Sequence, residues 1–70
     1  MEIIFEIDRF GGMEHRWRPK KSVQSIKDIV CHVRRVGVYD PDWELVKAIS
    51  KRIVFRRGRE MSVVTYEIKD

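Results

Sequence analysis

Cysteine and histidine are scarce in this 70-residue chain, which contains one cysteine and two histidines. The single thiol, Cys31, excludes an intramolecular disulfide and is typical of a protein from a reducing compartment. A structural zinc site uses four thiolate or imidazole ligands, and Cys31, His15 and His32 supply only three. The sequence therefore predicts a cytoplasmic protein with no metal and no other cofactor.

Long apolar runs are also missing. No run approaches the roughly 18 residues that a helix needs to span a bilayer. The first ten residues contain Glu2, Glu6 and Asp8, whereas a secretory signal begins with basic residues. We therefore expect no membrane partner and no secretory signal.

Catalytic groups are few as well. Cys31 and His32 are neighbours on a predicted helix, so their side chains point about 100° apart and cannot form a nucleophile–base pair. His15, beside Arg16 and Arg18, is the remaining candidate for a general base, and an isolated histidine is usually an ordinary side chain. The sequence therefore predicts that the protein is not an enzyme.

Positive charge is in excess and is concentrated in two segments. The chain has 15 lysines and arginines against 11 acids, a formal net charge of +4. Residues 16–21 and 51–59 together hold nine of those 15 cations, whereas the acids gather at residues 2–8 and 40–44. Clustered cations predict a polyanionic partner, and the alternative is an ordinary solvated basic surface.

The clearest structural pattern is a C-terminal β-hairpin. Two runs rich in β-branched residues, 53–55 and 61–68, flank Gly58. A two-residue loop, Gly58-Arg59, predicts the pairs Arg57–Glu60, Phe55–Ser62 and Ile53–Val64. One face is then apolar, with Ile53, Phe55, Val64, Tyr66 and Ile68. The other face mixes arginines with apolar side chains, namely Arg52, Val54, Arg56, Met61, Val63 and Thr65.

A second hairpin is predicted at the N-terminus. Residues 2–10 alternate between apolar and polar, as a half-buried strand does. A two-residue loop would pair Ile7 with Arg16 and mix the core with charge. A three-residue loop, residues 11–13, pairs Ile7 with Trp17 and places Trp17 in the core, so we prefer it. The pattern leaves open whether residues 13–18 form a true strand.

Two helices are predicted between the hairpins. Apolar residues at spacings of three and four follow a potential N-cap, Ser22, and Gly37 ends the stripe. Asp40 and Pro41 then form a strong helix-start signal, which predicts a helix to about Ser50 that buries Leu45, Val46 and Ile49. The predicted fold is a single α+β domain over residues 1–70. Its order is β-β-α-α-β-β, with two helices on one face of a three- to four-stranded antiparallel sheet.

The predicted order of elements over residues 22–68 resembles that of a winged helix-turn-helix, with residues 56–59 as the wing. The resemblance implies that the second helix would enter the major groove of DNA. That helix would begin with Asp40, Asp42 and Glu44, which would repel phosphates.

The function that these patterns favour is non-catalytic nucleic-acid binding by the hairpin at residues 52–60 and the adjacent sheet face. Arginine and lysine contacts to the phosphate backbone would provide the affinity. The predicted site comprises Arg16, Arg18, Lys20, Arg52, Arg56, Arg57 and Arg59. The alternative is a protein-interaction or inhibitor module that holds an acidic protein surface, or a homodimer, with Val54, Met61 and Val63 as the interface. We expect a homo-oligomer, because a core this small is marginal.

Overall fold

A five-stranded antiparallel sheet and one helix make up the part of the chain that the computed structural model describes, residues 1–8, 12–37 and 39–69. The elements in chain order are β1 (Glu2–Ile7), β2 (Met13–Trp17), α1 (Ile26–Val36), β3 (Glu44–Ile49), β4 (Arg52–Arg57) and β5 (Glu60–Lys69). The strands lie in the order β2-β1-β5-β4-β3. The predicted fold class is therefore wrong in two respects: the described residues form five strands rather than three or four, and one helix rather than two.

The core lies between one face of the sheet and α1. Alternate residues of β1, namely Ile3, Phe5 and Ile7, are fully buried, because successive side chains of a strand point to opposite faces. α1 adds its apolar stripe to the same cluster, and Tyr39 and Trp43 close the core on the β4 side. The core members contributed by α1, β4 and β5 are Ile29, Val30, Val33, Ile53, Phe55, Val64 and Tyr66.

The C-terminal hairpin has the predicted register. Arg57 pairs with Glu60, Phe55 with Ser62, and Ile53 with Val64, as the two-residue loop requires. Gly58 has a φ of +60°, a left-handed conformation that glycine adopts without strain. The predicted division into an apolar face and an arginine-bearing face is therefore confirmed for this strand pair.

The N-terminal hairpin has the predicted faces but not the predicted register. Ile7 pairs with Met13, and Trp17 pairs with Ile3 instead of Ile7. The register is shifted by four residues from the predicted one, and an even shift leaves every side chain on its predicted face. Trp17 therefore still packs against the core. The end of the predicted first strand, residues 9 and 10, lies outside the described residues.

The helix α1 is shorter than predicted at its start. Its N-cap is Ser25, whose backbone is extended, and not Ser22. Val23, the first apolar residue after Ser22, packs against the core from the segment before the helix. It is therefore part of the core without being part of α1. The predicted stop at Gly37 is confirmed. No helix in the described part of the chain is long and apolar enough to cross a membrane.

The second predicted helix is absent, and strand β3 occupies its place. The Asp40 start signal produces a single turn, in which the carboxylate accepts a hydrogen bond from the Asp42 amide at 3.0 Å. The Trp43 amide then donates to the Asp40 carbonyl at 3.0 Å, and the chain enters β3. Pairing with β4 hydrogen-bonds one edge of β3, while the three predicted helix-core residues stay exposed: Leu45, Val46 and Ile49. The predicted resemblance to a winged helix-turn-helix depended on this second helix, so the structure contradicts it.

Candidate nucleic-acid interface

The seven predicted phosphate-binding residues do not form one surface. Strand alternation places Arg52 and Arg56 on the sheet face that α1 leaves uncovered, which we call the open face. Arg57 lies on the opposite face, with its guanidinium carbon 4.9 Å from the centroid of the Trp43 ring. The hairpin arginines therefore diverge instead of converging on one ligand.

Three of the seven predicted residues are also held by acids. Arg56 and Arg57 form ion pairs of 3.1 Å with Glu44 and Glu60. Arg16 bonds to Glu14 at 2.9 Å, and this hydrogen bond raises the pKa of Arg16. Exposed pairs such as these contribute little to stability, but they lower the net positive charge of the predicted hairpin site.

The three predicted interface residues do lie together on the open face. Val54 and Val63 are paired neighbours on β4 and β5, and Met61 pairs with Arg56 one row away. Val54 is nearly buried within the sheet surface, whereas Met61 is 62% exposed. Their shared position was predicted correctly from alternation.

Of the three remaining predicted residues, Arg59 is exposed in the turn between β4 and β5. Arg18 and Lys20 lie in a cleft between the end of β2 and α1. The cleft has a volume of about 640 Å³, and we call it the β2–α1 cleft. Its lining residues are Trp17, Arg18, Lys20, Asp28, Cys31, His32 and Arg35. Three cations thus surround one carboxylate, and among the described residues no ion pair involves Arg18, Lys20 or Arg35.

Flat rings line one wall of this cleft. The rings of Trp17 and His32 stack with centroids 4.0 Å apart and planes 13° apart. His32 also meets His15 of β2, with 3.2 Å between their Nε2 atoms, so one ring donates and the other accepts. Phe5 packs against both histidines from the core side. The aromatic contacts fix the position of His32 at the boundary between core and cleft.

The charge state of His32 depends on this packing. Burial lowers the pKa of His32 below its usual value, and the neighbouring His15 and Arg35 lower it further. A neutral imidazole is therefore favoured at neutral pH, which suits both the hydrogen bond to His15 and the stack on Trp17.

Acidification is expected to destabilise the protein through His32. Its pKa in the folded chain lies below the value of about 6.5 in an unfolded chain, so the unfolded state binds the proton first. The contribution of neutral His32 to the free energy of unfolding is therefore fully present above about pH 6.5. It is lost as the pH falls through the pKa of His32 in the unfolded chain and then through its pKa in the folded chain. Urea unfolding at about pH 7 and about pH 5 measures this loss. In the variant His32→Gln the loss should be smaller, and an equal loss in both proteins would contradict the assignment.

Sequence reasoning found half of the cleft and missed the other half. Arg18 and Lys20 were predicted as binding residues, but they were grouped with the distant hairpin. His32 and Arg35 were not predicted, although their spacing of three residues places them on one side of a helix. Strand alternation had already placed Trp17 on the core side of the sheet. Because α1 packs on that side, this placement indicated that α1 would lie near the end of β2.

No known family model, curated protein or solved structure matches this chain. Among the described residues no three His, Cys, Asp or Glu side chains are grouped so that they could hold a metal ion. The function is therefore inferred from the geometry of the cleft.

Proposed function

We propose that the protein binds single-stranded nucleic acid in the β2–α1 cleft and does not act on it chemically. The observation that supports this function is the convergence of Arg18, Lys20 and Arg35 around a cleft with an aromatic wall. Cations that form no ion pair within the described part of the chain are available to phosphate oxygens, and the arginine forks match phosphate geometry.

The aromatic wall favours a single strand over a duplex. Unpaired bases stack on flat side chains, and this stacking is tolerant of sequence because every base has a π-face. Trp17 is half-buried and also borders a neighbouring groove that contains Lys20 and Lys21. The two adjoining grooves give the strand a continuous basic path past one aromatic residue.

The cleft and the arginine hairpin lie at opposite ends of the sheet. Trp17 pairs with Ile3, which pairs with Ile68 near the end of β5, whereas Gly58 precedes the start of β5. Charge removed at the hairpin therefore leaves the cleft intact. This separation provides a matched control for the binding experiment.

Removing Arg18 and Lys20 together should weaken binding to a labelled oligonucleotide of about 12 nucleotides by about tenfold to a hundredfold. The measurement is fluorescence anisotropy at several salt concentrations. Three phosphate contacts predict a slope of log K against log salt of about −2, and each lost cation should reduce its magnitude by about 0.7. The loss should be similar for all sequences, because phosphate contacts carry no sequence information.

The control is the double variant Arg56→Ala plus Arg59→Ala, which removes the same charge at the hairpin. We expect it to bind within about twofold of the parent, because long-range electrostatics are screened beyond a Debye length. If the hairpin variant loses affinity and the cleft variant does not, the site is the hairpin and the cleft proposal is wrong. Equal affinity for a duplex of the same length would contradict the role of stacking.

The proposed location is the cytoplasm. Cys31 is an exposed free thiol that lines the cleft. An exposed thiol is stable in its reduced form in a reducing compartment, where nucleic acid is also available.

A further inference from the structure

The open face of the sheet is a second surface that the cleft does not use. Its centre is apolar: Val54 and Val63 are paired neighbours, and Met61 beside them is 62% exposed. Ile4 on β1 and Ile49 on β3 extend the apolar character towards both edges. An exposed apolar patch with a charged surround is typical of a protein–protein interface.

One row of charged residues on this face is arranged in a self-complementary way about β5. Thr65, on β5, pairs with Glu6 of β1 on one side and with Arg52 of β4 on the other. Glu6 and Arg52 therefore lie at equal distances from β5 in the same row, with opposite charges. Both are exposed, and among the described residues no ion pair involves either of them.

We propose that two copies of this chain associate through their open faces, with a two-fold axis parallel to β5. Such an axis places the β1 side of one sheet over the β4 side of the other. Glu6 of each copy then meets Arg52 of the second copy, and the contact occurs twice, as an isologous interface requires. Val63 and Met61, both on β5, each meet the same residue of the second copy at the axis, and Val54 of β4 lies beside it.

The size of the face fits a reversible dimer. Strands about 4.8 Å apart that rise about 3.4 Å per residue give a face of roughly 24 by 20 Å for five strands of about six residues. Two such faces bury about 1,000 Å², which is near the lower limit of a specific interface. The dimer leaves the β2–α1 cleft on the outer side of each copy, so it does not depend on the proposed nucleic-acid binding.

Sedimentation equilibrium of the full chain tests the dimer. The mass should rise from 8.4 kDa towards twice that value as the concentration is raised from about 10 µM to about 1 mM. Glu6→Arg and Arg52→Glu each replace two attractive contacts with two repulsive ones, so each variant alone should dimerise about tenfold or more weakly. Arg59→Glu, at the hairpin tip outside the face, is the control and should dimerise like the parent.

Mixing the two charge variants gives the decisive result. In a mixed pair, the new arginine of one variant meets the new glutamate of the other, and the unchanged Glu6 meets the unchanged Arg52. The equimolar mixture should therefore regain the dimer that neither variant forms alone. A parent that remains at 8.4 kDa up to about 1 mM would overturn the proposal and leave the face to a different partner. A dimer that both charge variants retain would overturn it too, because association would then use another surface.

Discussion

Replacement of Trp43 by alanine is expected to destabilise the protein by about 3–5 kcal/mol, the cost of removing a large aromatic side chain from a core. Trp43 is 1% exposed and packs edge-on against Tyr39, with ring centroids 5.6 Å apart. Arg57 covers its ring, and Arg34 of α1 donates to its backbone carbonyl at 2.9 Å. The residue therefore joins α1, the turn before β3 and the C-terminal hairpin.

The size of this effect matters because the total stability of so short a chain is small. At roughly 0.05–0.15 kcal/mol per residue, 70 residues give about 3.5–10 kcal/mol. Urea unfolding followed by far-ultraviolet circular dichroism measures the loss directly. The matched control is Trp17→Ala, which should cost less because Trp17 is only half-buried at the edge of the core. A loss below about 1 kcal/mol for Trp43→Ala would show that the ring does not hold these elements together.

The strand faces could be predicted from the sequence because alternation is a local property. In the C-terminal hairpin, Gly58 fixed the loop length, and the register followed from it. In the N-terminal hairpin the predicted register was wrong by four residues, and the faces were still correct because the error was even. The register of a hairpin can be predicted only when the loop length is known. The assignment of Trp17 to the core side requires only that any error in the register be an even number of residues.

The error over residues 40–50 has a different cause. Asp40 and Pro41 are a local signal for the first turn of a helix, but the chain makes a single hydrogen-bonded turn there and then enters β3. β3 instead pairs with β4 across a two-residue turn at residues 50 and 51, in which Lys51 has a φ of +72°. No glycine marks this turn, so the usual hairpin signal is missing from the sequence. Trp43, in the segment predicted as a helix, enters the core at the junction before β3.

The candidate site was only partly predictable, because it depends on how separate elements pack together. Composition identified the cations, and Arg18 and Lys20 were among them. Their association with Arg35 and His32 depends on how α1 lies across the sheet, which no local pattern specifies. The segment at residues 52–59 was predicted as the binding site because its arginines are close in sequence. In the sheet these arginines lie on two opposite faces, and two of them form ion pairs with acids.

Gly37→Ala is expected to destabilise the protein by about 1–3 kcal/mol, the usual cost of overpacking a core. The backbone of Gly37 has a φ of −86°, which any residue adopts, so conformational strain is not the reason. A Cβ atom at this position would lie 2.5 Å from Cε2 of Tyr39 and 2.7 Å from the carbonyl oxygen of Val33. That carbonyl already accepts the Gly37 amide at 2.7 Å, so the backbone has little freedom to move away.

The Tyr39 ring is also held in place. It stacks on Phe55 with centroids 4.1 Å apart, and its hydroxyl bonds to the buried Ser62 hydroxyl at 2.7 Å. Ser62→Ala releases the ring from this hydrogen bond, so Gly37→Ala should cost less in that background. Urea unfolding of the parent, the two single variants and the double variant should show non-additivity of about 0.5–1 kcal/mol. Full additivity would mean that the ring does not transmit the clash, and that the close approach of Tyr39 is not what requires glycine at the end of α1.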